Sequence, residues 1–175
     1  CIRDSNRIDG MVASIKEIID FKDPVGQIKG LEKMKSGIKV GKMSMPLGVI
    51  AMIYESRPNV TIDASALSIK SGNAIILRGG SESINTNIAL AKCIKNSLIK
   101  NKVNKNIVQL IDNTDRDIVN ELLLQNNYID IVIPRGGKNL IKLIDEISSI
   151  SVLRHLDGIC HVYLDKDCDF DKALN

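Results

Sequence analysis

The sequence predicts an α/β fold, with a parallel sheet covered by helices on both faces. Three observations carry that expectation. Short apolar runs such as "PLGVIAMIY" (46–54) have strand length without alternation, as expected of strands buried on both faces. Segments of helical spacing lie between them, so that strand and helix alternate at least four times. Two of the runs, "AIILRGG" (74–80) and "IDIVIPRGG" (129–137), also deliver Arg-Gly-Gly into the polar start of an apolar-periodic segment.

The elements follow in order. Ile8, Met11, Val12, Ile15, Ile18 and Ile19 place a helix over 7–21, which Asp23-Pro24 stops because the residue before proline disfavours the helical region. "LEKMKSGIKVGKMSM" (31–45) turns on Gly37 and alternates weakly, predicting a hairpin or edge ribbon. Strand 46–54 leads to a helix over 60–70, and 72–78 is the next strand. Ile84, Ile88, Ala91, Cys93, Ile94 and Leu98 make one buried face of a helix. Residues 107–111 read as a strand, and 115–125 as a helix whose opening "NTDRD" supplies capping side chains. A strand over 129–133 and a helix over 138–147 come next. The closing strands are 151–153 and 161–165.

The totals bound the function. A chain of 175 residues, 44% hydrophobic, makes one domain with a core. No run of eighteen apolar residues is present, and "CIRDSNRIDG" lacks the apolar core of a secretory signal. The expected location is therefore the cytoplasm, with no membrane partner. Net charge is only +3 with acids and bases interspersed, and the basic stretch 92–106 has no aromatic interleaving. That argues for a solvated helix face and against a nucleic-acid partner. The cysteines at 1, 93, 160 and 168 form no C-x-x-C pair, and His155 and His161 complete no zinc spacing, so no metal is expected.

The junctions are where chemistry can sit. Ligands of open parallel sheets bind beyond the carboxyl ends of the strands. Glycine lets backbone N–H groups approach a ligand there, the following helix offers unpaired amides to an anion, and arginine matches phosphate oxygens. Arg78, Gly79 and Gly80 form one such corner, and Arg135, Gly136 and Gly137 the other. A third polar corner is "YESRPNVTID" (54–63), where Pro58 opens a helix behind Arg57. Two phosphate-binding corners would suit a long anion such as a dinucleotide. The blander reading, with glycine making the turn and arginine facing water, stands equally open from the residues alone. Neither G-x-G-x-x-G nor G-x-x-x-x-G-K-[ST] occurs.

"PLGVIAMIYESRPNVTIDASALSIKSGNAIILRGGSES", "QLIDNTDRDIV", "YIDIVIPRGGKNLI" and "DGICHVYLD" together resemble γ-glutamyl phosphate reductase, of the aldehyde dehydrogenase superfamily. The likeness runs in order from "DPVGQ" (23–27) to the C-terminus, and the reductase half of the bifunctional pyrroline-5-carboxylate synthase is similar as well. The resemblance implies a Rossmann-like, aldehyde-dehydrogenase-type cofactor domain over 1–175, with 31–46 part of an oligomerisation element. It implies NADPH-dependent reduction of L-glutamate 5-phosphate to glutamate 5-semialdehyde and phosphate in proline biosynthesis. A homo-oligomer and a functional link to glutamate 5-kinase follow from it too.

In that family a cysteine thiolate attacks the acyl phosphate, phosphate leaves, and hydride reduces the thioester. Carried over residue by residue, Arg78 matches a basic position near the adenosine ribose. Ser81 stands where NAD-preferring members place a glutamate, which implies NADPH, although Glu82 lies next door. Pro134, Arg135, Gly136 and Gly137 match the turn facing the pyrophosphate. Ser56 and Asn59 match an oxyanion-donating corner, and Arg57 a contact to the substrate's phosphate or carboxylate.

The family's nucleophile is expected beyond Asn175, so no catalytic residue is assigned within the chain, which as it stands is expected not to turn over. A non-catalytic dinucleotide-binding segment is the alternative. Cys160 beside His161 does not substitute, because neighbours on a strand point to opposite faces. "LRHLDG" (153–158) departs from the family pattern in carrying Arg154 and Leu156 in a loop implied to pass near the nicotinamide.

Overall fold

A computed structural model describes residues 5–115, 117–154 and 163–169. Helix α1 (Ser5–Asp20) is followed by an antiparallel hairpin, β1 (Ile28–Lys33) and β2 (Lys39–Met43). Then come β3 (Val49–Tyr54), α2 (Pro58–Lys70), β4 (Ala74–Gly79), α3 (Ile84–Lys100), β5 (Val108–Leu110), α4 (Asp117–Leu123), β6 (Ile131–Arg135) and α5 (Lys138–Ile147). The four later strands form one parallel sheet in the order β5-β4-β3-β6. The predicted α/β class with a parallel sheet is what the chain adopts.

Alternation along the strands builds two cores. Ala51 and Ile53 of β3 face Val119, Leu122, Leu123 and Ile144 on one side of the sheet. Ile50 and Tyr54 of β3, with Ile75 and Leu77 of β4, face Ala64 and Leu98 on the other. Each fully buried Leu or Ile contributes about 1.5–3 kcal/mol, so the central strand is held from both faces. Its start is pinned by polar groups. Gly48 N–H donates to Asn73 Oδ1 at 2.9 Å, and Val49 N–H to Asp130 Oδ2 at 2.7 Å. Gly48 has φ +113, and a Cβ there would lie 2.1 Å from that Asp130 oxygen, so both backbone and space demand glycine.

Several boundaries differ from expectation for identifiable reasons. The ribbon expected at 31–46 spans Ile28–Met43, turning at Gly37 (φ +89) with Gly37 N–H donating to the Met34 carbonyl. The strand expected at 107–111 is Val108–Leu110, because Asn104 Oδ1 accepts from Asn106 N–H and winds 105–107 into a 3₁₀ turn. The helix expected at 115–125 is Asp117–Leu123; Asp115 Oδ1 does cap it, accepting from Asp117 N–H at 3.1 Å.

The strand expected at 151–153 is reduced to one bridge between Val152 and Val132. Val132 exchanges both of its hydrogen bonds with Ser151 and Leu153. Two residues on, facing the same edge, Pro134 has no N–H to continue the ladder. Of 161–165, residues 161 and 162 lie outside the described residues, as do Cys1, His155, Leu156 and Cys160. Residues 163–165 form no strand, and Tyr163 is exposed.

One face was misassigned. Cys93 is exposed on α3 rather than packed. The buried line of that helix runs through Asn87 and Leu98, with Ala91 and Ile94 half-buried between them. Cys93 stands one residue, about 100° of helical rotation, away from Ile94.

Candidate cofactor crevice

The chain lays down β3, β4 and β5 in one direction and then crosses to place β6 on the other side of β3. This reversal opens a crevice beyond the carboxyl ends of β3 and β6, the usual ligand position in such sheets. In the parallel register Tyr54 pairs with both Gly79 and Arg135. All three polar corners read from the sequence therefore emerge at one sheet edge.

At the end of β3, Arg57 is exposed and precedes Pro58 at the first turn of α2. Ser56 Oγ donates to Glu82 Oε2 at 2.5 Å, and Asn59 Nδ2 to Asp63 Oδ2 at 3.3 Å. Arg57, Asn59, Asp63 and Arg135 line a cavity of about 520 Å³, whose walls include Met52, Leu67 and Ile133. An apolar trough with two guanidinium groups can take a short chain carrying a terminal anion, and the Asp63 carboxylate in its wall is engaged by Asn59.

At the end of β4, Arg78 is half-buried and its guanidinium donates to the carbonyls of Gly79 (3.0 Å), Thr114 (3.0 Å) and Asp115 (3.3 Å). It clips the loop after β5 onto the junction. A Cβ on Gly79 would lie 2.3 Å from Asn87 Nδ2 and 3.0 Å from the Tyr54 ring, so packing explains this glycine. At Gly80 a Cβ would meet nothing nearer than 3.5 Å, and Ser81 is exposed in the turn that follows. Glu82, adjacent to Ser81, spends one oxygen on Ser56.

At the end of β6, Arg135, Gly136 and Gly137 are all exposed, while Pro134 is buried in the strand. Gly137 is the N-cap of α5. Glu55 N–H donates to the Arg135 carbonyl at 3.1 Å. A Cβ on Gly136 would lie 2.7 Å from the Glu55 carboxyl carbon, so that side chain already rests over the turn. Arg154, flagged for its loop, pairs instead with Asp145 of α5 at 3.2 Å, roughly two turns from the crevice end of the helix.

Two features escaped sequence reading. One is the seat of Glu55. The other is a buried polar chain behind the β4 junction, in which Tyr54 Oη lies 2.7 Å from Thr61 Oγ1 and Thr61 Oγ1 donates to Asn87 Oδ1 at 3.0 Å. Burial pushes the Tyr54 phenol above its ordinary range, opposed by the Thr61 contact, so Tyr54 is a neutral donor. A signal was present: Thr61, Ser65 and Ser68 put hydroxyls at helical spacing on the buried face of α2.

The crevice thus has Arg135 with the exposed Gly136–Gly137 turn at one corner and the Gly80–Ser81 turn at another, two separate points that an elongated anion could span. Among the described residues no group of His, Cys, Asp and Glu could hold a metal ion, and no helix is long and apolar enough to cross a membrane.

Residues 6–175 match the model of the aldehyde dehydrogenase family. The γ-glutamyl phosphate reductase of Ruthia magnifica subsp. Calyptogena magnifica is 49% identical over 172 residues, 98% of this chain and 41% of that protein. That of Colwellia psychrerythraea is 52% identical over 168 residues, 96% of this chain and 40% of that protein. The crystal structure of γ-glutamyl phosphate reductase from Thermotoga maritima superposes with a TM-score of 0.85 at 38% identity, covering 97% of this chain and 41% of the other. The chain thus spans about two fifths of the length of these relatives. Its fold, the order of its corners and the match along nearly all of its length lead to one conclusion: the chain belongs to the aldehyde dehydrogenase family.

Proposed function

We propose that this chain is the cofactor-binding segment of an NADPH-dependent reductase of L-glutamate 5-phosphate, producing glutamate 5-semialdehyde and phosphate for proline synthesis. The observation that carries the reading is the convergence of three polar corners at the switch point, in a chain 49% identical to a γ-glutamyl phosphate reductase. In this scheme Gly136, Gly137 and Arg135 receive the pyrophosphate, and Gly80 and Ser81 face the adenosine ribose. Arg57 and Asn59 border the acyl phosphate, whereas Ser56, matched to the same corner, spends its hydroxyl on Glu82 beside the ribose turn. The bound cofactor supplies hydride, and the chain's residues supply position and charge. Arg78 holds the loop beside the ribose and adds positive charge there, which favours a 2′-phosphate.

The nucleophilic cysteine of this scheme lies beyond Asn175. Of the described cysteines, Cys93 lines a different groove, beside Ile15 and Ile62, and Cys168 is half-buried in the closing segment. That placement favours a second reading for the isolated chain: it binds dinucleotide without turnover. A cytoplasmic homo-oligomer, with β1 and β2 in its interface and glutamate 5-kinase as a functional partner, completes the proposal. The test is a titration of the purified chain with NADPH and, separately, NADH, repeated with Arg135→Ala. Saturable binding that favours NADPH and weakens in the variant is expected. A folded chain that binds neither nucleotide contradicts the assignment.

A further inference from the structure

Behind the Gly79–Gly80–Ser81 turn runs a continuous chain of buried hydrogen bonds. It begins at Tyr54 and passes through Thr61 to Asn87, whose Nδ2 donates to Ser83 Oγ at 3.4 Å. Ser83 Oγ then donates to the Gly80 carbonyl at 3.4 Å, and the same carbonyl accepts from Ser83 N–H at 3.3 Å. Tyr54, Thr61, Asn87 and Ser83 are each no more than 2% exposed.

With Asn87 Oδ1 accepting from Thr61, the other hydrogens follow. Thr61 owns one hydroxyl proton and gives it to Asn87, so at the other contact Tyr54 must be the donor. Every bond then points from the end of β3 towards the Gly80 carbonyl, and dipoles aligned in this way strengthen one another. Apolar residues of the same shape, Phe for Tyr54 and Val for Thr61, would fill the space without burying polar atoms. They would give no directed grip on Gly80. From the solvent side, Ser56 Oγ holds Glu82 at 2.5 Å. The turn is gripped from within and from without, while Ser81 itself stays exposed.

We infer that Tyr54, Thr61 and Asn87 are positioning residues that hold the Gly80–Ser81 turn in the one conformation that discriminates the phosphorylated ribose of NADPH from the bare ribose of NADH. The inference rests on the cofactor reading given above and names the residues that make that reading selective. None of the three touches the nucleotide; they act through Ser83 and the Gly80 carbonyl.

The experiment measures NADPH and NADH dissociation constants for the chain and for Tyr54→Phe, Thr61→Val and Thr61→Ser. Amide hydrogen exchange at residues 80–83 is followed in parallel. Both shape-preserving variants are expected to lower the NADPH-over-NADH preference about three- to tenfold and to speed exchange at 80–83, on the scale of one lost buried hydrogen bond. Thr61→Ser, which keeps the hydroxyl, should retain both properties. An unchanged preference in folded Tyr54→Phe and Thr61→Val overturns the inference and leaves the cofactor reading intact. If the parent chain binds neither nucleotide, the cofactor reading fails and selectivity by the relay fails with it. Exchange at 80–83 then shows whether the relay still fixes the turn.

Discussion

The two Arg-Gly-Gly junctions share a crowded first glycine and an open second one, but they aim their arginines in opposite directions. At the first, Arg78 turns inward onto three carbonyls and Gly79 is buried against Tyr54 and Asn87. At the second, Arg135, Gly136 and Gly137 are all exposed, and the side chains of Glu55 and Leu140 close on Gly136. The difference comes from what stands behind each turn. The β4 junction is backed by α2 and α3 with their polar chain, whereas β6 is the last full strand of the sheet, with one residue bridged beyond it. An identical tripeptide turns its arginine inward where a loop's carbonyls receive it and outward where none do.

The shared pattern of crowded first and open second glycine is tested most sharply by adding one methyl group to one of each kind. Gly79→Ala is expected to cost about 2–3 kcal/mol in urea unfolding, since the new carbon enters a filled space. Gly137→Ala should change stability by no more than about 0.5 kcal/mol. Its φ of −69° suits any residue, and its Cβ would sit 3.8 Å from the nearest atom. Equal costs at the two positions would erase the distinction.

The arginines should separate in the same direction. Arg78→Ala loses three carbonyl contacts and is expected to destabilise the chain by about 2 kcal/mol, with faster amide exchange at 111–115. Arg135→Ala should leave unfolding within about 0.5 kcal/mol of the parent while weakening NADPH. An Arg78→Ala chain as stable as the parent would return Arg78 to the role of a purely ligand-facing charge.

Alkaline titration sharpens the picture of the relay. Because burial raises the folded pKa of Tyr54, the unfolded chain loses this proton first as pH climbs past about 10. Stability from Tyr54 is therefore whole below that value and declines above it, towards the folded pKa. Tyr54→Phe should be less stable by about 1 kcal/mol at neutral pH and show a shallower alkaline decline. Matching slopes above pH 10 would mean that the phenol is not held neutral by the fold.

The smallest effect belongs to Glu55. Glu55→Gln removes a negative charge from the Gly136–Gly137 turn, and a two- to threefold gain in NADPH affinity is expected, on the scale of an exposed charge contact. Loss of affinity would mean that the carboxylate helps to order the turn instead of opposing an anion.

Much of this architecture was legible because buried parallel strands announce themselves. Ile50, Ala51 and Ile53, and Ile75 with Leu77, are continuous apolar text. The edge at Val152 was not legible as a single bridge, since nothing in "SVL" says that its partner strand carries Pro134 opposite the next donor position. Cys93 was misplaced because Asn87, a polar residue, occupies the buried line of α3 and is invisible to apolar spacing. For the same reason the corners could be located from glycine and arginine, while the reason for each glycine could not. Gly79 is explained by a tyrosine twenty-five positions away and an asparagine eight positions on.

Pro134 has a consequence for the shape of the opening. Val132 offers the following segment a full pair of bonds, and two residues later the outer edge of β6 offers no donor. Past the Leu153 bond to Val132, the ladder would need a donor that Pro134 does not have. A strand paired there would be the fifth of this sheet, and it would flank the Gly136–Gly137 turn on its outer side and narrow the approach to it. One absent hydrogen atom makes that outer edge a poor place for a strand to dock.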